Sequence, residues 1–212
     1  MTSQTSAPRM PEYWLRAARD LANGDPILDC IIHAHPDVML SSRGDAFQTL
    51  ARSIVGQQIS VKAADSVWLR LCTLSAIEPR ALLKQGTQAL AGCGLSQRKA
   101  EYIHDLARHF DTGAIQPQRW EAMEDEAIIA ELVEVRGIGR WTAEMFLIFN
   151  LLRPDVLPVD DLGLQRAVSE LYFCGEPVGA AGVRHVAPIW SPWRSVATWY
   201  LWRSLDPVPV EY

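Results

Sequence analysis

An all-α fold follows from three features of this chain. Apolar residues recur at helical spacing in nearly every segment, no stretch shows the strict alternation of a half-buried strand, and glycine and proline punctuate the apolar runs. With 212 residues and 49% hydrophobic content, the chain can fill one large domain or two small lobes around a core.

The elements follow in order. Tyr13 to Leu21 and Ile27 to His33 read as short helices, and Asn23-Gly24-Asp25-Pro26 breaks the chain between them. A third helix runs from about Ala46 to Val55. Ser60 is placed to cap a fourth, because its hydroxyl can accept from the first free amides, and Ala63, Val67, Trp68 and Leu71 form that helix's apolar stripe. Gly92-Cys93-Gly94 stops one helix and Ser96 starts the next. On that helix Tyr102, Ile103 and Leu106 face inward, while Arg98, Lys99, Arg108 and His109 make the most basic stretch of the chain, read as a solvated face. Asp125 to Val133 and Arg140 to Leu151 form two helices joined by a tight turn. Pro154, Pro158, Pro188 and Pro192 mark later helix boundaries. The expected division is a flexible leader at 1–11, a helical domain at 12–205 with its hairpin at 125–151, and a loose tail at 206–212.

The formal net charge is −5, which argues mildly against a broad nucleic-acid surface. A protein that grips only a few phosphates can use backbone amides and needs little net positive charge. Cys30, Cys72, Cys93 and Cys174 are scattered, with no CxxC pair, so neither a zinc site nor an iron–sulfur cluster is spelled out. They read as reduced, mostly buried thiols. Met1 to Met10 lack the apolar stretch of a signal peptide, and no apolar run is long enough to span a bilayer. The expectation is an intracellular protein of the cytoplasm or nucleoid, or of the nucleus in a eukaryote.

The most informative segment is Leu132-Val-Glu-Val-Arg-Gly-Ile-Gly-Arg-Trp-Thr142, followed by carboxylates at Asp160 and Asp161. Gly137 and Gly139 permit a sharp turn, and the amides that open the following helix face an incoming anion, for which a phosphate is the natural guest. The two aspartates sit where a later helix begins. One is explained as a cap on free backbone amides, and a second is harder to explain structurally. Helical phase favours Asp161 as the first residue of that helix, since Leu164 and Val168 then continue an inward stripe.

The Gly-x-Gly turn, the Trp141-Thr142-Ala143 helix and the later Asp together resemble the helix-hairpin-helix base-excision DNA glycosylases, on the 3-methyladenine DNA glycosylase II branch. The likeness extends to Val55-Gly-Gln-Gln-Ile-Ser60, Gly94-Leu-Ser-Gln-Arg-Lys-Ala100, Trp190-Ser-Pro-Trp-Arg-Ser195 and Trp199-Tyr-Leu-Trp202, covering roughly Phe47 to Leu205. The chain begins too late to carry the mixed α/β lobe of some members, and it lacks the four-cysteine cluster of other branches. The gap-free spacing from Trp141 to Asp161 also matches the branch.

The resemblance implies a two-lobed helical architecture with the active-site cleft between lobes. It implies Asp161 as the catalytic carboxylate, with Asp160 as the alternative, and a base pocket of Trp141, Trp202 and Met145. Gln57 and Gln58 become candidates for the wedge that fills the gap left by a flipped nucleotide. Gly137, Ile138, Gly139 and Thr142 would hold phosphates. No cofactor or metal is required, although the carbonyls of Val135 and Gly137 could coordinate a monovalent cation. Relatives that also cut the backbone carry a lysine at position 141, where this chain has tryptophan, so the implied enzyme is monofunctional and without lyase activity. Its partner is double-stranded DNA containing alkylated bases, 3-methyladenine and 7-methylguanine among them, and it acts as a monomer.

The chemistry suits these residues. Breaking an N-glycosidic bond develops positive charge on the deoxyribose, which a nearby carboxylate stabilises. An alkylated purine is already cationic, and aromatic faces attract it by about 0.5 to 2 kcal/mol each. Trp199 lies on a neighbouring helix face and reads equally as core. Two rival readings remain: a non-catalytic helix-hairpin-helix DNA-binding module, and a glycosylase for deaminated or oxidised bases. A purely structural helical bundle is the blandest alternative.

Overall fold

Side-chain caps set five of the helix starts in the computed structural model, which describes residues 11–36, 39–42 and 44–205. The leader at 1–10 and the tail at 206–212 lie outside the described residues. Among those described there are twelve α-helices, two short 3-10 turns and no strand. In order these are α1 Trp14–Gly24, α2 Pro26–Ala34, α3 Ala46–Gly56, α4 Val61–Leu74, α5 Pro79–Leu83, α6 Thr87–Gly92, α7 Gln97–Asp111, α8 Asp125–Val133, α9 Arg140–Phe149, α10 Leu162–Tyr172, α11 Ala180–Val186 and α12 Arg194–Leu205. Asp25, Asp45, Ser60, Ser96 and Asp161 each accept backbone N–H groups at the starts of α2, α3, α4, α7 and α10.

The described residues divide into two compact units, those of 11–42 with 147–205, and those of 44–146. In the first, α12 is buried on every side from Ser195 to Leu201, and α1, α2 and α10 pack around it. Its buried side chains include the polar Ser195 and Thr198 beside the apolar Val196, Ala197, Trp199 and Leu201. Asp25 braces this unit. One of its oxygens caps α2, and the other accepts the Tyr172 hydroxyl and, at 3.2 Å, the Trp190 indole N–H. In the second unit α7 is the central element, packing on α3, α5 and α6.

Four expectations need correction. The second hairpin helix ends at Phe149, before Leu151, because Leu152 takes a left-handed φ of 54° and the Arg153 N–H turns back to the Leu147 carbonyl. On α4 the buried stripe is Ala64, Val67 and Leu71. Ala63 is exposed, and Trp68 lies half-buried beneath the Arg52 guanidinium. Cys93 is buried, but Cys30, Cys72 and Cys174 are exposed. On α2 and α4 the core side is taken by Leu28, Ile31 and Leu71, which turns the adjacent thiols outward. The basic stretch on α7 is more than a solvated face. Lys99 holds the carbonyls of Val55, in the last turn of α3, and of Gln57 just after it, and Arg108 pairs with Asp105, which is only 3% exposed.

Candidate active site

Asp161 lies immediately before α10 with extended backbone dihedrals, so its side chain folds back over the helix start and accepts the Leu164 N–H at 2.6 Å. The same oxygen, Oδ1, accepts the indole N–H of Trp202 at 2.9 Å. Asp161 is 6% exposed, whereas its neighbour Asp160 faces solvent. The pair of carboxylates is thereby resolved into one held inside and one outside.

Two features bring Asp161 and Trp202 together. The loop before α10 is pinned to the start of α12: Arg194 forms a two-point ion pair with Asp155 at 2.7 and 2.8 Å, the Ser195 hydroxyl accepts the Val156 N–H at 2.9 Å, and the Ser195 N–H reaches the Pro154 carbonyl at 3.0 Å. Gly163 then leaves room at the junction. A Cβ there would lie 3.1 Å from Asp161 Oδ1 and 3.2 Å from the Trp202 ring, tighter than ordinary packing. Trp202 is held flat by Phe149, whose ring stacks on it at 5.8 Å with an interplanar angle of 11°. Sequence reasoning missed Phe149, although it stands two helical turns after Trp141 at a spacing that could have flagged it. Trp199 is 6% exposed, and the Arg203 guanidinium covers its ring at 4.0 Å, which suits the core reading.

The hairpin belongs to the other unit. Gly137 has φ of 90°, and a Cβ there would overlap the Tyr102 ring at 2.2 Å, so only glycine fits this turn. The Arg136 N–H is satisfied by buried Asp105 at 2.9 Å. Ile138 is 4% exposed, and its N–H donates to the Val135 carbonyl at 3.0 Å, so this amide is engaged inside the turn. Gly139 is exposed and its carbonyl accepts from Ala143, which makes it the start of α9. Arg140 is drawn away from solvent anions by Glu126 and by Glu144 at 2.9 Å, and these carboxylates raise its already high pKa. Trp141 is 38% exposed, while Thr142 and, one helical turn after Trp141, Met145 are buried.

The two wedge candidates separate. The Gln57 side-chain amide donates to the Gly137 carbonyl at 2.8 Å, so this side chain is engaged with the hairpin. Gln58 is exposed at the loop tip with φ of 58°. Of the carbonyls considered for a cation, Val135 accepts Ile138 and Gly137 accepts Gln57, so an ion would have to share both oxygens.

Residues 51–188 match the family model described as HhH-GPD superfamily base excision DNA repair protein, well over half of the chain. The chain belongs to that superfamily. Among HhH-GPD relatives, DNA-3-methyladenine glycosylase 1 of Schizosaccharomyces pombe is 32% identical over 167 residues, spanning 76% of this chain and 72% of its own. The crystal structure of a DNA-3-methyladenine glycosidase from Bacillus halodurans superposes with a TM-score of 0.84 at 36% identity, covering 90% of this chain and 89% of that one. A Schizosaccharomyces pombe 3-methyladenine DNA glycosylase solved in complex with abasic DNA superposes with a TM-score of 0.76 at 27% identity, covering 92% of this chain and all 100% of that one. Among the described residues no helix is long and apolar enough to cross a membrane, and no cluster of His, Cys, Asp and Glu could hold a metal ion.

Proposed function

We propose that this HhH-GPD protein is a DNA glycosylase that removes alkylated purines from double-stranded DNA, 3-methyladenine foremost and 7-methylguanine with it. The observation that carries this reading is the Asp161 carboxylate, buried at the start of α10 and bonded to the Trp202 indole in a chain similar to 3-methyladenine glycosylases along most of its length.

Asp161 serves as the catalytic carboxylate. As the bond from C1′ to the base nitrogen lengthens, positive charge gathers on the sugar. A carboxylate fixed in advance stabilises that charge without reorganising, and it can orient the water that completes hydrolysis. The Leu164 and Trp202 donors hold the carboxylate in place through Oδ1. The departing base is a neutral purine, so no strong acid is needed. Trp202, held flat against Phe149, provides a face for the cationic base. The exposed Gln58 fills the space left in the duplex, and amides at the start of α9, with Thr142, grip a phosphate.

Schiff-base chemistry needs an amine, and position 141 carries an indole. The reaction therefore ends at the abasic site, with no strand cleavage, and a single chain carries it out. Purified protein incubated with methylated duplex DNA should liberate 3-methyladenine, separated chromatographically, and leave alkali-labile but uncut strands. Release of no alkylated purine would refute the reading.

A further inference from the structure

The last carbonyls of a helix have no partners within it, and α3 ends at Gly56 beside the loop that carries Gln57 and Gln58. The Lys99 ammonium, arriving from α7, donates to the Val55 carbonyl at 2.8 Å and to the Gln57 carbonyl at 2.5 Å. A cation in this place also suits the negative end of the α3 dipole. Gln57 is thus held twice, by its main chain to Lys99 and by its side chain to the Gly137 carbonyl. The next residue, Gln58, is exposed and left-handed, a conformation that is unfavourable for a non-glycine residue and persists only where the surroundings impose it.

One helix carries the whole arrangement. Lys99, Tyr102 and Asp105 follow one another at three-residue spacing on α7. Lys99 grips the loop, Tyr102 packs against Gly137, and Asp105 holds the Arg136 N–H at the start of the hairpin turn. Six residues of helix rise about 9 Å, so α7 fixes the separation between the loop tip and the hairpin.

We propose that Lys99 is a positioning residue for the DNA-inserting tip: by holding the Val55 and Gln57 carbonyls it keeps Gln58 in its left-handed, projecting conformation, at a set distance from the phosphate-binding hairpin. The inference rests on the reading of this chain as a DNA glycosylase for what the tip enters. Burial of the ammonium lowers its pKa, the sign of a lysine drawn out of water to make these bonds.

The test uses a duplex in which 2-aminopurine faces a tetrahydrofuran abasic-site analogue, so that tip insertion unstacks the fluorescent base. The probe has no base to release, so its outcome is independent of the excision assay. At saturating wild-type protein the fluorescence should rise. Gln58→Ala should abolish the rise, Lys99→Met should reduce its amplitude at least threefold, and Lys99→Arg, which can still reach two carbonyls, should restore most of it. A lysine with a merely structural role would change the melting midpoint or the Kd and leave the saturated amplitude intact. Full amplitude in folded Lys99→Met, or in Gln58→Ala, overturns the proposal. Should Lys99→Met fail to fold, Lys99→Gln, shorter and uncharged, replaces it with the same expected loss and the same overturning result.

Discussion

The indole N–H of Trp202 donates to the Asp161 carboxylate at 2.9 Å although the two residues stand 41 positions apart. That bond joins the start of α10 to the last turns of α12 and turns a helix cap into a fixed, buried anion beside an aromatic wall.

Asp161→Asn separates charge from capping, because an amide oxygen can still accept the Leu164 and Trp202 N–H groups. The melting midpoint should stay near that of the wild type while single-turnover release of methylated purine falls a hundredfold or more, on the order of losing a preorganised transition-state contact. Exposed Asp160, changed to Asn, should stay within about twofold. The reverse pattern would move the catalytic role by one residue.

Gly163→Ala places a methyl group 3.1 Å from Asp161 Oδ1 and 3.2 Å from Trp202. Within a helix the substitution gains about 0.5 to 1 kcal/mol in propensity, which offsets the crowding, so stability should change little. The Asp161–Trp202 pair must instead open by a few tenths of an ångström, and excision should slow by roughly tenfold. Unchanged kinetics would show that the closeness of Asp161 and Trp202 is incidental.

Gly137→Ala combines a left-handed backbone with overlap of the Tyr102 ring. Strain of about 1 to 2 kcal/mol adds to about 1 to 3 kcal/mol of overpacking. Denaturant titration should show a loss of about 2 to 5 kcal/mol, and a loss below 1 kcal/mol would mean that the turn relaxes freely.

Alkali should destabilise the protein through its buried phenols. Burial pushes Tyr13 up to about 12, raises Tyr200, and with help from the Asp25 carboxylate raises Tyr172 further. Each group is neutral in the folded state at a pH where the unfolded chain, with ordinary tyrosines near 10, has begun to ionise. The stability they contribute is complete below pH 10 and declines as pH rises toward 12. Melting midpoints should therefore drop across this window, with phenolate absorbance appearing together with unfolding. Early phenolate formation from three residues in folded protein would contradict the burial.

Much of the fold could be read from local chemistry alone. The spacing of apolar residues located α1 to α4 and α7 to α9, and Ser60 and Ser96 marked helix starts because a hydroxyl beside free amides acts over a few residues. Asp161 was distinguishable from Asp160 for the same reason, since helical phase is written within one turn. The glycines of the hairpin were legible because their backbone freedom is a property of the residue itself.

The pairings that make a site were decided only by packing. Sequence could offer Gln57 and Gln58 equally, but the Gly137 carbonyl, 80 positions from Gln57, engages one of them and leaves the other at the tip. Lys99 read as a solvated charge because nothing within its own helix shows that the carbonyls of Val55 and Gln57, at the end of α3, lie over it. Phe149 and Gly163 escaped notice since their part is steric, one supporting Trp202 and the other making way for it. Periodicity tells each helix which side to bury. Which side chains then meet depends on how the helices cross, and that is settled by the joint packing of the whole core.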